Sequence, residues 1–394
     1  MAEWRECQLR DIADLRGGHG FPEYEQGIKS GSLPFYKVSD MDSLGNEQYM
    51  TKANNYVEYE TARDNGWGIL PRGAVVFAKV GAALLLNRRR ILTIPSIVDN
   101  NMMAAVTSRT ISTAWLYHWL RTIDFGELVQ VGAVPSINQN LLGEVVVEVP
   151  PSEEQRRIAG ILDTIDATIQ ATERVIAKLR HAETAVLVDT IDFARADAQL
   201  GDVCSLLQDG THLPPPRTSE GPLLLSVQNL DDGQLQLSAR DTHVSEAFWR
   251  STRRALPIEP GDVCLAVVGA TLGKLGVVPP DLPRFTVQRS LTVLRGDPMR
   301  MRNDYLLAVM RHGEFQRNLW QRANQTAQPG VYLGELRAVR VPAPSLSEQR
   351  RVAAILNTIN ETIRVNREQR DKLLQVRSGL AGDLLSGRVR TGAA

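Results

Sequence analysis

One stretch of this chain is written twice, far apart in the sequence. The string SEEQRRIAGILDTIDATI begins at Ser152, and LSEQRRVAAILNTINETI begins at Leu346. Aligned without gaps, the two copies agree at 11 of 18 positions. An internal repeat decides the architecture before any single motif does. The sequence therefore predicts two related halves.

The similarity extends beyond the repeated string, more weakly and in the same order. LRDIADL from Leu9 resembles LGDVCSL from Leu200, and LPRGAVVFAKVGAALL from Leu70 resembles IEPGDVCLAVVGATLG from Ile258. All of these pairs are about 190 residues apart. This pattern indicates the tandem duplication of a whole module that is followed by a helix.

Each module combines strand and helix signals. AVVFAKV from Ala74 and GDVCLAVVG from Gly261 are short, β-branched and bounded by turn residues, as buried strands are. STAWLYHWLRTIDFGELVQ from Ser112 and RNDYLLAVMRHGEFQRNLWQ from Arg302 each have the spacing of an amphipathic helix. Both modules close with a strand that runs into prolines, so each module is predicted to be a mixed α/β domain.

The repeated strings predict two long helices with coiled-coil seams. Ser152 and Ser347 are the expected N-caps, and acidic residues follow them. Apolar residues recur with heptad spacing, which predicts that each helix packs on a partner, and the other copy is the nearest one available. The seam residues that we expect at this spacer and partner surface are Ile158, Leu162, Ile165, Ile169, Val352, Leu356, Ile359 and Ile363.

The composition excludes several classes of protein. Lys plus Arg and Asp plus Glu are equal at 45 each, so any nucleic-acid surface must be local. The cysteines Cys7, Cys204 and Cys264 are far apart, and the histidines lack metal-site spacings, so no disulfide framework and no metal site is expected. No apolar run is long enough to span a membrane, so a cytoplasmic location is expected.

Catalytic motifs are weak or missing. GATLGKL from Gly269 is one residue shorter than a phosphate-binding loop, and Leu275 stands where a Mg²⁺-binding Ser or Thr is required. The sequence also lacks the Asn/Asp-Pro-Pro-aromatic tetrapeptide with which amino-methyltransferases hold a flipped base. We therefore expect no catalytic residues and no enzyme activity in this chain.

The strings PPSEEQRRIAGILDTIDATI and PAPSLSEQRRVAAILNTINETI, with the terminal LLSGRVR, resemble the specificity subunits of type I restriction-modification systems. The resemblance covers nearly all of the chain. It implies an α+β fold with two tandem mixed α/β target-recognition domains, separated by two long helices that form an antiparallel coiled coil with pseudo-twofold symmetry. The expected domains are residues 1–150 and 195–343 for recognition, with a spacer helix in 151–194 and a second helix and C-terminal segment in 344–394.

The same resemblance implies the function. In that family, each recognition domain reads one half of a split sequence in double-stranded DNA. Two methyltransferase subunits dock on the helices, carry S-adenosylmethionine and methylate adenine at N6, and motor-nuclease subunits join for restriction. No cofactor is expected on this chain itself, and no membrane partner.

Candidate DNA-binding residues are polar or basic side chains at strand ends and loops, because Lys and Arg contact phosphates while Arg, Asn, Gln and Ser contact base edges. For each of them, ordinary loop or strand-end hydrogen bonding is an equally good interpretation. In the first module they are Lys37, Ser39, Lys79, Arg88, Arg89, Arg90, Asn100 and Asn101. In the second module they are Thr211, His212, Ser226, Gln228, Asn229, Lys274, Gln288 and Arg289.

A different class of function fits some of these observations. A non-catalytic coiled-coil adaptor with two ligand-binding modules would also have two related domains and two long helices, and the balanced charge favours it. The order of module and helix argues for DNA specificity. A methyltransferase gene beside this one would distinguish the two interpretations.

Overall fold

The computed structural model of the chain describes residues 3–129, 134–212, 215–231, 233–238, 240–324 and 329–391. The chain divides into two compact units, which we call unit 1 (residues 1–172 with 369–394) and unit 2 (residues 173–368). Each unit holds one β-rich module together with parts of two long helices. This is the mixed α+β, two-module architecture that the internal repeat predicts.

The elements of the first module, in chain order, are β1 (Arg5–Gln8), α1 (Leu9–Ile12), β2 (Ala13–Gly17), β3 (Leu33–Tyr36), β4 (Tyr49–Met50), β5 (Tyr56–Val57), α2 (Tyr59–Asp64), β6 (Val75–Ala78), α3 (Ala82–Leu85), β7 (Arg89–Leu92), β8 (Ile97–Val98), β9 (Met102–Thr107), α4 (Thr113–Leu120), α5 (Gln139–Gly143) and β10 (Val146–Val149). The first long helix, α6 (Ser152–Thr190), follows.

The elements of the second module are β11 (Ala198–Gln199), α7 (Leu200–Val203), β12 (Cys204–Asp209), β13 (Arg217–Leu225), β14 (Leu230–Asp231), β15 (Gly233–Leu235), β16 (Thr242–Val244), α8 (Glu246–Ala255), β17 (Val263–Ala266), β18 (Leu275–Val277), β19 (Phe285–Val287), β20 (Leu291–Gly296), α9 (Asn303–Arg311), α10 (Gly313–Arg322), α11 (Leu333–Arg337) and β21 (Arg340–Val341). The second long helix, α12 (Leu346–Leu385), follows.

The sheets of the two modules share one topology. Among the described residues, the first module has a sheet of order β2-β9-β6-β7-β4, and the second has β12-β20-β17-β18-β15 with β14 added at its edge. A smaller sheet of order β5-β3-β8 corresponds to β16-β13-β19, with one antiparallel and one parallel pairing in each. A third, two-stranded pairing joins the first strand of each module to its last, β1 to β10 and β11 to β21. The duplication inferred from sequence is therefore a duplication of fold.

The core of each unit joins its module to both long helices. In unit 1, Ile158 and Leu162 near the start of α6 belong to the same apolar cluster as Ala381 and Leu384 near the end of α12. Burial of a large apolar side chain contributes about 1.5–3 kcal/mol. Because the start of one helix meets the end of the other, the two helix segments run antiparallel in this unit.

Unit 2 repeats this arrangement with the roles of the helices exchanged. Val352 and Leu356 near the start of α12 share an apolar cluster with Leu187 in the last turn of α6 and with Ile191 directly after that helix. Each module therefore packs against the beginning of the helix that follows it and against the end of the other helix.

A buried glutamine joins each module to its helix in the same way. The Gln155 side chain accepts a hydrogen bond from Ser112 N at 2.7 Å and donates to Pro150 O at 2.9 Å. Gln349 accepts from Arg302 N at 2.9 Å and donates to Pro344 O at 2.9 Å. This contact explains why glutamine stands at the same place in both copies of the repeated string.

The helix starts differ from the sequence expectation. Ser152 and Ser347 lie inside the helices rather than at their caps: Pro151 O accepts the first helical bond of α6, and Ser345 caps α12 by accepting a bond from Glu348 N through its hydroxyl. Each long helix begins shortly after the prolines, because a helix start needs no partner for the N–H that proline lacks.

The two amphipathic stretches are also shorter than one continuous helix. The first ends at Leu120, and a 3₁₀ turn at Phe125–Leu128 follows under an Asp124 cap. The second divides at His312, whose side chain caps the next helix by accepting a bond from Glu314 N. In both stretches the apolar spacing of a helix continues, but the side chain of Asp124 or His312 caps a new helical segment and so ends the first one.

Within the part of the chain that the structure describes, no helix is both long and apolar enough to cross a membrane.

Candidate nucleic-acid interface

In the first module, several strands end together at one edge and are held by backbone hydrogen bonds. His19 N donates to Val98 O at 2.9 Å, and Asp99 N donates to Tyr36 O at 2.9 Å. Lys79 N donates to Asn101 O at 2.8 Å, and Ile137 N donates to Lys79 O at 2.9 Å. We call this set of bonds the strand-end frame. Because these bonds join backbone atoms, they hold the backbone in place whichever residue types occupy the positions.

The second module contains the same frame. Thr211 N donates to Val287 O at 2.9 Å, and Gln288 N donates to Leu225 O at 2.9 Å. Val267 N donates to Ser290 O at 3.1 Å, and Val331 N donates to Val267 O at 3.0 Å. The correspondence therefore extends to individual backbone atoms.

A glycine is required beside each frame. A Cβ atom at Gly18 would lie 1.9 Å from Asp99 O, and one at Gly210 would lie 2.3 Å from Val287 O. Both distances are impossible for a side-chain carbon. The glycines let the end of β2 or β12 approach the neighbouring turn, which brings the following residue onto the frame.

The side chains on the two frames differ at corresponding positions. His19, Lys37, Lys79, Asp99, Asn100 and Asn101 in unit 1 correspond to Thr211, Ser226, Val267, Gln288, Arg289 and Ser290 in unit 2. Different hydrogen-bonding groups thus stand on one shared backbone arrangement. A pair of surfaces built in this way can recognise two different ligands of the same general kind.

The frame residues of unit 1 include exposed and half-buried polar groups. Ser39, Asn100 and Asn101 are exposed, whereas Lys37 and Lys79 are half-buried. Lys37 Nζ donates to Gln26 Oε1 at 3.0 Å, which orients the ammonium group. These predicted residues come together at one edge.

Two titratable groups of this frame are shifted by burial. Desolvation raises the pKa of the Asp99 carboxyl, and desolvation lowers the pKa of the His19 imidazole. The His19 ring nitrogen Nε2 accepts a hydrogen bond from Gly68 N at 2.7 Å. The other ring nitrogen then carries the proton of the neutral imidazole and is a donor.

The three consecutive arginines of unit 1 have three different environments. The Arg88 side chain is 33% exposed and forms an ion pair with Asp42. Arg89 is 1% exposed, and its guanidinium lies 3.6 Å from the centre of the Phe125 ring. Arg90 is half-buried and donates to Met41 O at 3.0 Å.

Burial takes Arg89 away from any surface contact. Desolvation lowers the pKa of its guanidinium to about 9, and its Nη atoms donate to Ile123 O and Asn87 Oδ1. The structure thus gives Arg89 a packing role in the first module, and we leave it out of the proposed DNA surface. Successive strand residues point to opposite faces, so one of two adjacent arginines is expected to face the core. The sequence alone does not show whether Arg88 or Arg89 is the buried one.

In unit 2, the predicted residues lie at the corresponding edge, with one exception. Gln228, Arg289 and His212 are exposed, and Thr211, Ser226 and Gln288 are half-buried. Lys274 is exposed and precedes β18, as Arg88 precedes β7. Both modules therefore place a cation at this position.

Asn229 is the exception, because it is only 1% exposed. Its Oδ1 accepts a bond from Ser226 N at 2.9 Å, and its Nδ2 donates to Asp241 Oδ1 at 2.7 Å. In unit 1, Asp40 accepts from Lys37 N at 2.7 Å in the same manner. Asn229 is therefore a buried residue whose hydrogen bonds hold the backbone beside the strand-end frame. We leave it out of the proposed DNA surface as well.

The eight predicted seam residues of the long helices are buried or half-buried. Ile165 and Ile359, which occupy matching positions of the two helices, are half-buried. The other six are buried: Ile158, Leu162, Ile169, Val352, Leu356 and Ile363. The seam also contains a buried acid, Asp166, which heptad counting did not suggest.

Sequence comparison of the halves missed His19 and Ser290. The gapless alignment fails near His19 because β12 contains a register shift between Cys204 and Leu206, which adds one residue before Thr211. Allowing a single insertion in the alignment of RGGHG with QDGTH would have found the correspondence.

Residues 1–181 match the family model described as the type I restriction modification DNA specificity domain. Along more of its length, the chain resembles curated proteins of the same kind. It is 20% identical over 388 residues to the type I restriction enzyme EcoBI specificity subunit of Escherichia coli, an alignment that covers 89% of this chain and 77% of that protein. Residues 1–181 thus match a type I restriction modification DNA specificity domain, and most of the chain resembles a type I specificity subunit.

A second relative is matched over a shorter region. The chain is 20% identical over 278 residues to the type I restriction enzyme MjaVIII specificity subunit of Methanocaldococcus jannaschii. That match spans 65% of this chain and 65% of the relative.

Two solved chains have the same fold as this one. The S subunit of the type I restriction-modification system from M. genitalium has a TM-score of 0.62 at 14% identity, covering 97% of this chain and 96% of that one. A chain from a structure on complex assembly and conformational transition of the type I R-M system has a TM-score of 0.57 at 16% identity, covering 98% of each. These two matches show that this chain has the same fold as the two solved chains along nearly its whole length.

Proposed function

We propose that this chain is the DNA sequence-specificity subunit of a type I restriction-modification complex, reading a bipartite target with one half-site for each module. The observation that carries the proposal is the repeated strand-end frame. One backbone arrangement is kept, and the polar side chains mounted on it differ. Two half-sites of different sequence on one kind of polymer require such a pair of surfaces.

The chemistry of the two edges suits DNA. Exposed amide and guanidinium groups of Asn100, Asn101, Gln228 and Arg289 have the donors and acceptors that distinguish base edges in the major groove. Arg88 and Lys274, at corresponding positions, are suited to phosphates, which fix orientation without reading sequence. A local rather than global positive charge also agrees with the equal numbers of acidic and basic residues.

The partners form the second part of the proposal. Two methyltransferase subunits would dock on the helices, bind S-adenosylmethionine and methylate adenine at N6, and motor-nuclease subunits would join for restriction. This chain would bind no cofactor and act in the cytoplasm. Support comes from the family and from the duplication, which offers two equivalent surfaces to two identical partners.

The test is to co-express the chain with the methyltransferase encoded beside it, in a host without adenine methylation, and to map N6-methyladenine across the genome. A single motif of two short half-sites around an unspecified gap is the expected result. If the two proteins are soluble and associated but no motif appears, the proposal is wrong and an adaptor function replaces it.

A further inference from the structure

The two long helices meet the modules at matched positions that carry different charges. In unit 1, Asp166 on α6 accepts hydrogen bonds from Arg121 Nη1 at 2.5 Å and from Arg377 Nε at 3.0 Å. Arg121 follows α4, and Arg377 lies on α12. The side chains of Asp166 and Arg377 are only 11% and 13% exposed, so this Arg–Asp–Arg set is largely shielded from water.

In unit 2, the corresponding set contains different residues. Arg311 Nη1 lies 2.8 Å from Glu183 Oε1, and these side chains are 22% and 18% exposed. Arg311 ends α9 as Arg121 follows α4. In the gapless alignment of the two long helices, Gln155 aligns with Gln349 and Asp166 aligns with Asn360.

The same alignment places Glu183 on Arg377. Unit 2 therefore has an Arg311–Glu183 ion pair, with Asn360 at the position that aligns with Asp166, where unit 1 has Arg–Asp–Arg. Each set is complementary within its own unit. The charge near the end of one helix is opposite to the charge at the matching place on the other.

Apolar packing alone would not determine which helices pair. The seams of α6 and α12 are so similar that they do not by themselves distinguish α6–α12 pairing from pairing of each helix with its counterpart in a second chain. Two copies that exchanged helices would bring Asp166 of one α6 opposite Glu183 of the other. The same exchange would bring Arg377 of one α12 opposite Asn360 and Arg311.

Both exchanged pairings put like charges together in a poorly hydrated place. Such pairings are disfavoured, and specificity between similar partners is commonly obtained by this kind of repulsion. We propose that the two charge-exchanged sets form a pairing code that holds α6 to α12 of the same chain and rejects the helices of a second copy.

The code can be removed without breaking complementarity inside a chain. Asp166→Asn with Arg377→Glu gives these two positions of unit 1 the residue types found in unit 2, beside the His118–Asp163 pair, which among the described residues only unit 1 has. Glu183→Arg with Asn360→Asp converts the set of unit 2 to the type found in unit 1. In either double variant, pairing within the chain and pairing with a second copy both become complementary.

When all four substitutions are combined, unit 1 has the residue types of unit 2 and unit 2 has those of unit 1. Pairing with a second copy is then again disfavoured. Exchanged pairing of two α6 helices would then bring the arginine introduced at position 183 against Arg121. Exchanged pairing of two α12 helices would bring together the two new acids, the aspartate at position 360 and the glutamate at position 377. The four-substitution variant is thus a matched control that differs more from the natural sequence than either double variant does. His118 and its partner Asp163 remain unchanged in all variants.

The measurement is sedimentation velocity of the full chain over a concentration series. The natural chain and the four-substitution variant are expected to be monomers. Each double variant is expected to dimerise with an association constant at least about tenfold higher, equivalent to about 1.4 kcal/mol.

Two results would overturn the pairing code. One is a pair of double variants that dimerise no more than the natural chain, and the other is a four-substitution variant that dimerises as strongly as they do. Circular dichroism during heating accompanies each run. Loss of fold in a double variant would also contradict the proposal, because each double variant keeps a complementary set in each unit.

Discussion

The guanidinium of Arg390 binds the carboxylate of Glu154 through two hydrogen bonds, from Nε to Oε1 at 3.0 Å and from Nη2 to Oε2 at 2.8 Å. Trp4 Nε1 also donates to Oε2, at 3.0 Å, and Thr391 N donates to Oε1 at 3.2 Å. Glu154 is 4% exposed. One acid in the first turn of α6 thus fastens the N-terminal segment and the C-terminal segment of unit 1.

Replacing this acid should destabilise unit 1 in a pH-dependent way. Glu154→Gln is expected to lower the free energy of unfolding at neutral pH by about 1.5–3 kcal/mol, since hydrogen bonds to a charged group are lost. Hydrogen bonds from Arg390 are the main reason that the pKa of Glu154 is below its ordinary value of 4.5. Urea unfolding from neutral to acid pH measures the effect.

The sign of the pH effect follows from that lowered pKa. A carboxyl with a lower pKa in the folded state contributes its stability above the unfolded pKa and loses it as the pH falls through the folded pKa. The difference between the natural protein and Glu154→Gln should therefore shrink as the pH falls below 4.5. Arg388→Met, which removes the exposed ion pair with Asp383, is the control and should change stability by less than about 1 kcal/mol. Equal losses in both variants would contradict a special role for Glu154.

The duplicated glutamines predict a symmetric effect. Gln155→Met and Gln349→Met should each lower the free energy of unfolding by about 1–3 kcal/mol, because Ser112 N or Arg302 N loses its side-chain acceptor. Gln375→Met, at an exposed position of α12, is expected to stay within about 0.5 kcal/mol. A loss in only one of the two buried variants would show that the matching bonds are not equivalent in energy.

Adjacent arginines should have opposite phenotypes. Arg89→Ala is expected to lower stability by about 2–4 kcal/mol, since it leaves a cavity beside Phe125. Arg88→Ala should barely change stability and should weaken DNA binding of the assembled complex equally for all sequences, with a salt slope smaller by about one. Unfolding titrations and binding at several salt concentrations test the pair. A change of sequence preference in Arg88→Ala would contradict a phosphate contact.

The sequence was enough to predict the duplicated modules and the apolar seams of the two long helices. AVVFAKV and GDVCLAVVG contain β6 and β17, and the seam positions from Ile158 to Ile169 are buried or half-buried. These features have strong periodic signals. The internal repeat strengthens the prediction, because the same strand or helix pattern is found at corresponding places in both halves of the sequence.

Other features depend on contacts between distant segments, and no local pattern reveals them. The side chain of Arg89 packs on Phe125, and Asp166 meets Arg377 across two helices. His19 was missed because a bulge in β12 shifts the alignment by one residue. Each depends on tertiary packing or on a small irregularity of backbone register.

In the proposed function, each module reads its own half-site from its own strand-end frame. Mapping N6-methyladenine for complexes that contain Arg289→Ala or Asn100→Ala tests this division of roles. We predict that Arg289→Ala relaxes one half-site and Asn100→Ala the other, each losing about 1–3 kcal/mol of base discrimination while the opposite half-site is unchanged. Relaxation of the same half-site by both variants, or an equal weakening of methylation at all sites without any change of motif, would contradict the account.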